Sequence, residues 1–152
     1  MNIVYGDLTD SFRIKEITKN NFDLMIMGEI IEHINNPVSF LEKIHSNYNQ
    51  NIRKILITAP NAFCYKNSDN SKRNLEVLNS DHRFWFTPYT IAKIAVQAGY
   101  TVSEFYFTDN INKKTGMKAK LLLFPWIQRK FTYYKLKKYP GLRSNIIMIV
   151  DF

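Results

Sequence analysis

The 152 residues are the length of one domain, with 45% hydrophobic and 14% aromatic side chains, one cysteine and a formal net charge of +8. Those values exclude a disordered chain, which lacks the apolar residues for a core, and a disulfide scaffold, which needs paired cysteines. No apolar run approaches the roughly 18 residues of a membrane span, and the start MNIVYGDLTD has neither a basic nor an apolar leader segment, so a cytoplasmic location is expected.

In chain order, Ile3–Tyr5 is predicted as a short strand ended by Gly6 and Asp7, and a short helix is placed around Ile14–Thr18. Asp23–Met27 is an unbroken apolar run of strand length, suited to a strand covered on both faces. Asn36 and Pro37 form a cap and a first helical position, and Phe40, Leu41, Ile44 and Tyr48 recur at helical spacing behind them. Lys54–Ala59 is a second β-branched run, stopped by Pro60 and Asn61. Residues 61–81 read as a polar loop long enough to serve as a lid. Thr87 and Pro88 open a helix that Gly99 ends, Thr101–Phe107 is a strand, and Asn145–Phe152 closes the sheet. Strands alternating with helices predict an α/β domain, its sheet mostly parallel with an antiparallel closing strand and helices on both faces.

The positive charge is unevenly spread. Residues 1–108 carry 11 Lys or Arg against 11 Asp or Glu, whereas residues 109–152 carry 10 against 2. The basic, aromatic segment 109–144, with Trp126, Arg129, Lys130, Tyr133 and Tyr134, suits nucleic acid or an anionic membrane surface, or simply core packing and a solvated face.

Ligands of such sheets bind beyond the carboxyl ends of the strands. The second predicted strand ends there in GEIIEH. If a helical turn begins near Gly28, then Glu29, Glu32 and His33 stand at i, i+3 and i+4 on one face. Two carboxylates and an imidazole suit a divalent cation such as Mg²⁺, Mn²⁺ or Zn²⁺, with His82 of SDHRFWF as a fourth ligand. The alternative is local hydrogen bonding by Glu32 and His33, with Glu29 alone facing the pocket. Without a metal, His33 or His82 is a candidate general base.

The ordered string GDLTD, FDLMIMGEIIEH, ILITAPNAF, DHRFWFTPYTIAKIAVQAGYTV resembles the latter two-thirds of a class I S-adenosylmethionine-dependent methyltransferase, over about residues 3–107. The resemblance implies a Rossmann-like sheet, with Asp7 and Leu8 beside the adenine of S-adenosylmethionine and Gly28 and Glu29 along its methionine end. The elements E-x-x-E-H and DHRFWF resemble the E-x-x-E-H and D-H-x-F-x-W-like elements of metal-assisted 2′-O-methyltransferases of small-RNA 3′ ends, which implies Mg²⁺ or Mn²⁺ on Glu29, Glu32, His33 and His82. Ubiquinone-pathway, glycan and lipid-linked sugar methyltransferases share similar elements, so a small-molecule or glycan acceptor is expected first. The family's first strand and Gly-rich turn have no counterpart, since Gly6, Gly28, Gly99, Gly116 and Gly141 are isolated. The expectation is therefore a single domain over residues 1–152, truncated at its N-terminus: a fragment, a chain completed by a second chain, or a catalytically silent subunit.

Overall fold

A computed structural model describes residues 3–10, 13–77, 79–109 and 134–152. Four strands, β1 (Phe22–Gly28), β2 (Ile52–Pro60), β3 (Thr101–Thr108) and β4 (Asn145–Asp151), form one sheet in the order β1-β2-β4-β3. β1 and β2 pair in parallel, while β4 is antiparallel to both β2 and β3. Three strands thus run the same way, but β4 inserts between two of them, so only one of the three pairings is parallel. That corrects the expected mostly parallel sheet, because the closing strand takes a central position.

Register explains the core. The rows Met25–Ile55–Val150–Val102 and Met27–Ile57–Met148–Phe105 place one side-chain face of every strand together. Alternate residues share a face because the strand period is two. Against this face pack α2 (Pro37–Tyr48), through Leu41, Ile44 and Tyr48, and α4 (Pro88–Gln97), through Ile91 and Ala95. Local signals start both helices. Asn36 accepts the Ser39 N–H at 3.1 Å, and Thr87 with Thr90 forms a reciprocal cap, each followed by proline at the first turn. The buried Tyr100 hydroxyl donates to Leu41 O at 3.1 Å and ties the end of α4 to α2.

The opposite face holds Leu24, Ile26, Leu56, Ile147, Ile149 and Tyr106 in register, and here Ile26 is 70% exposed. β1 is an edge strand, with Phe22 and Leu24 exposed as well. Ile3–Tyr5 is not a strand; these residues are exposed, and the segment is tied instead to α2, where Asn47 donates to Leu8 O and Asp10 O. α1 (Lys15–Thr18) falls where the short helix is expected. Residues 61–81 are not a plain loop, for they contain α3 (Tyr65–Lys72), whose side chains are all outside the core. No described helix is long and apolar enough to cross a membrane.

Candidate active site

Gly28 and Thr58 lie opposite each other where β1 and β2 end. Immediately beyond, Glu29 adopts a left-handed conformation, φ 52°. Such a backbone costs a non-glycine residue about 1 kcal/mol or more. Thr58 offsets that cost: the Glu29 N–H donates to Thr58 O and to Thr58 Oγ1, both at 3.1 Å, and the Thr58 hydroxyl donates to Glu29 Oε1 at 2.9 Å. The helical turn begins only at Ile31, as a short 3₁₀ turn over Ile31–His33. Glu29 therefore precedes the helical face on which it is expected beside Glu32 and His33, and its carboxylate is engaged by Thr58.

Glu32 is wholly buried, and neither carboxylate oxygen has a hydrogen-bond partner among the described residues. Burial pushes its carboxyl above the usual range; its own backbone N–H opposes this, the neighbouring Glu29 adds to it, and His33 and His82 oppose it.

The segment carrying His82 docks on this turn through its backbone. The N–H groups of Arg83 and Phe84 donate to Glu32 O at 2.6 and 3.3 Å, and the Ala62 N–H donates to Phe86 O at 2.8 Å beyond the end of β2. The imidazoles of His33 and His82 then meet edge to face, centroids 4.9 Å apart. One ligand atom each from Glu32, His33 and His82 lies within 4.8 Å of the others.

Hydrogen bonding sets the imidazole protons. His33 Nδ1 lies 3.0 Å from Asp81 O, which can only accept, so the proton is on Nδ1 and the lone pair on Nε2. The Asn79 amide group lies 3.1 Å from His82 Nε2, and its oxygen accepts the Asp81 N–H at 3.2 Å, so its NH₂ donates to His82. For His82 to hold an ion through either nitrogen, Asn79 must give up that bond.

The other expected residues are apart from this cluster. Asp7 accepts the Thr9 N–H at 2.8 Å and its hydroxyl at 2.7 Å, which hold its carboxyl below the usual range. Leu8 is half-buried against the core. At Gly28 an added Cβ would meet only Thr58 Oγ1, at 3.8 Å, so protein packing does not demand glycine there and space is left beyond the strand end. Asn61 is structural: its NH₂ donates to Gly141 O and Arg143 O, both at 2.8 Å, joining the end of β2 to the start of β4. Trp126, Arg129, Lys130 and Tyr133 lie outside the described residues; Tyr134 is exposed.

Thr58 and Asn79, which hold Glu29 and His82 by hydrogen bonds, are residues of the candidate site that the sequence did not mark. Nothing local marks them, because each acts through a partner set by the fold.

The sequence pattern of the family described as "Methyltransferase domain" matches residues 7–104. The chain belongs to that methyltransferase family. Its solved relatives show the class I, S-adenosylmethionine-dependent fold. A small RNA methyltransferase superposes with TM-score 0.58 at 18% identity, over 96% of this chain and 15% of that one. A SAM-dependent methyltransferase from Archaeoglobus fulgidus gives 0.54 at 15% identity, over 99% and 67%. The magnesium protoporphyrin IX methyltransferase from Synechocystis, solved with bound SAH, gives 0.52 at 9% identity, over 96% and 48%. The chain thus spans under two-thirds of the first and third of these proteins. No curated protein matches it significantly.

Proposed function

We infer that this methyltransferase domain directs methyl transfer to a hydroxyl group, of a small-molecule, glycan or lipid-linked acceptor, placed at Glu32, His33 and His82. One observation carries the reading: a fully buried carboxylate with two unpartnered oxygens faces two imidazoles at the carboxyl end of a sheet. Buried charges are rarely left without a close partner, and among the described residues His33 Nε2 stands 4.0 Å from Glu32 Oε1, too far for a hydrogen bond, which supports a positive or proton-donating ligand at the site.

S-adenosylmethionine supplies an activated methyl group on its sulfonium. His33 Nε2, free of its own proton, takes the hydroxyl proton. The chain's main contribution is to hold the acceptor in line, which can remove roughly 7–11 kcal/mol of barrier. Gly28 and the second oxygen of Glu29 would hold the methionine end, and Asp7 and Leu8 the adenine end.

The orphaned oxygens of Glu32 also fit a divalent cation, Mg²⁺ or Mn²⁺, held by Glu32, His33 and His82 with Glu29 nearby. Such an ion lowers the pKa of a bound hydroxyl. This convergence favours a second reading, metal-assisted 2′-O-methylation of RNA 3′ ends, in which segment 109–144 would hold the nucleic acid; the same segment would otherwise serve an anionic membrane surface.

The exposed apolar edge of β1 and the isolated glycines support completion of the cofactor pocket by further strands, whether of a longer chain of which these residues are a fragment or of a second chain. Calorimetric titration with S-adenosylmethionine, with and without Mn²⁺, tests the reading in wild type and Glu32→Gln. Cofactor binding by the wild type, with Mn²⁺ binding lost in Glu32→Gln, is expected. A folded sample that binds neither would leave a silent methyltransferase-like subunit.

A further inference from the structure

The segment that reaches the cluster also borders a surface cavity. α3 ends in a left-handed Asn74, φ 55°, with Leu75 N–H donating to Asn70 O at 3.0 Å and Asn74 N–H to Ser71 O at 3.1 Å. This is the double hydrogen-bond pattern of a Schellman turn, and asparagine is the residue after glycine best able to occupy its left-handed position. The turn folds Leu75–Val77 back beside α3. Between them and Trp85 lies a solvent-open concavity of about 500 Å³, with Ser71, Asn74, Leu75, Glu76 and Val77 exposed along it, of a volume within the range of small-ligand sites, roughly 300–1,000 Å³.

Its lining chemistry is distinctive. Asn67, Asn70, Ser71 and Asn74 supply amide and hydroxyl groups, Glu76 a carboxylate, and Trp85 an indole left 42% exposed. No side-chain hydrogen bond engages Asn70, Ser71, Asn74, Glu76 or Trp85 among the described residues, so these groups are available. No lysine or arginine lines the cavity. A phosphate-bearing ligand would meet Glu76 without a compensating cation, which disfavours it. A neutral polyol suits every group: carboxamides both donate to and accept from neighbouring hydroxyls, and the indole covers an apolar carbon–hydrogen face.

We propose that this cavity is a saccharide subsite, binding a neutral pyranose of the acceptor. It rests on the reading of Glu32, His33 and His82 as the transfer site, and names the acceptor class. The chain itself connects the two places. Residues 74–77 line the cavity, Asn79 and His82 belong to the cluster, and Trp85 lines the cavity again. Trp85 stands three residues after His82 in the chain.

The test is ligand-observed saturation-transfer NMR on the whole chain with methyl α-D-glucopyranoside and its galacto and manno epimers, without S-adenosylmethionine. At least one hexoside is expected to bind, with affinity falling about tenfold in Trp85→Ala. Asn74→Gly removes a carboxamide while keeping the left-handed backbone, and is expected to weaken binding with the circular dichroism spectrum unchanged. Glu32→Gln should bind the hexoside as wild type does, which separates this subsite from the transfer site. Absence of binding by all three hexosides, binding that persists in Trp85→Ala, or Trp85-dependent binding of adenosine or uridine in place of the hexosides would overturn the proposal. Because no cofactor is present, none of those results bears on whether the domain transfers methyl groups.

Discussion

β1 and β4 are both seven-residue strands rich in large apolar side chains, FDLMIMG and NIIMIVD, and their burial is opposite. In β4 the alternate residues Ile146, Met148 and Val150 are wholly or almost wholly buried and the rest are half-buried. In β1 only Met27 is buried, while Phe22, Leu24 and Ile26 are exposed. Composition does not cause the difference; the number of neighbours does. β4 has a strand on each side and β1 on one. An apolar edge strand is a pairing hazard that folded proteins cover or blunt, so the apolar character of β1 implies a covered state.

The largest expected effect contrasts the two environments directly. Ile57→Ala, at a fully buried side chain beside Met148, should lower the unfolding free energy by about 2–5 kcal/mol in chemical denaturation. Ile26→Ala on the opposite face of β1 should change it by no more than about 0.5 kcal/mol. If Ile26→Ala costs as much as Ile57→Ala in the purified chain, β1 is already covered there and the contrast fails.

The next effect lies at the end of β1. Glu32→Gln removes a buried carboxylate that accepts no hydrogen bond and has only the distant contact to His33 Nε2, 4.0 Å, and is expected to stabilise the metal-free chain by about 1–2 kcal/mol at neutral pH in thermal unfolding. Destabilisation would mean that the carboxylate is already satisfied, which would remove the ground for a ligand at the cluster.

Much of this arrangement is legible in the sequence where the cause is local. Asn36 with Pro37 and Thr87 with Pro88 begin α2 and α4 through caps made within three residues. The apolar runs locate β1 and β2, and β2 extends past its predicted run to Ile52 and Pro60. Glu32, His33 and His82 do converge, as the likeness to methyltransferases implies. What is not legible depends on distant partners. Glu29 leaves the helical face because Thr58, on another strand, holds it in a left-handed turn. α3 lacks an apolar stripe because it buries no side chain, so no periodicity announces it. The central position of β4 is a matter of strand order, which periodicity does not encode.

Thr58 gives the third prediction. Thr58→Val keeps the side-chain shape and removes the hydroxyl that serves Glu29 N–H and Oε1. The loss should be about 1 kcal/mol by denaturation. If Glu29 holds the methionine end of the cofactor, S-adenosylmethionine affinity should also fall while the β2–β4 interior stays intact by hydrogen exchange. Unchanged affinity would confine Thr58 to a structural role.

The smallest effect returns to the sheet face opposite α2 and α4, where Lys54 of β2 and Asp151 of β4 pair at 3.2 Å across the same register. Lys54 and then Ser103, by hydrogen bonding to Asp151, hold its carboxyl below the ordinary value of 3.8. A carboxyl depressed in the folded state stabilises the fold at pH above its unfolded value, and that contribution disappears as pH falls through the folded value. Asp151→Asn should therefore lower the melting temperature slightly at pH 6–7, with the difference from wild type shrinking as pH falls below the ordinary carboxyl value of 3.8. Both side chains are about one-third exposed, so salt should also shrink the difference. If instead the effect is large and insensitive to salt, the pair is screened from solvent, and the open face of the sheet carries a cover that reaches beyond β1 to its centre.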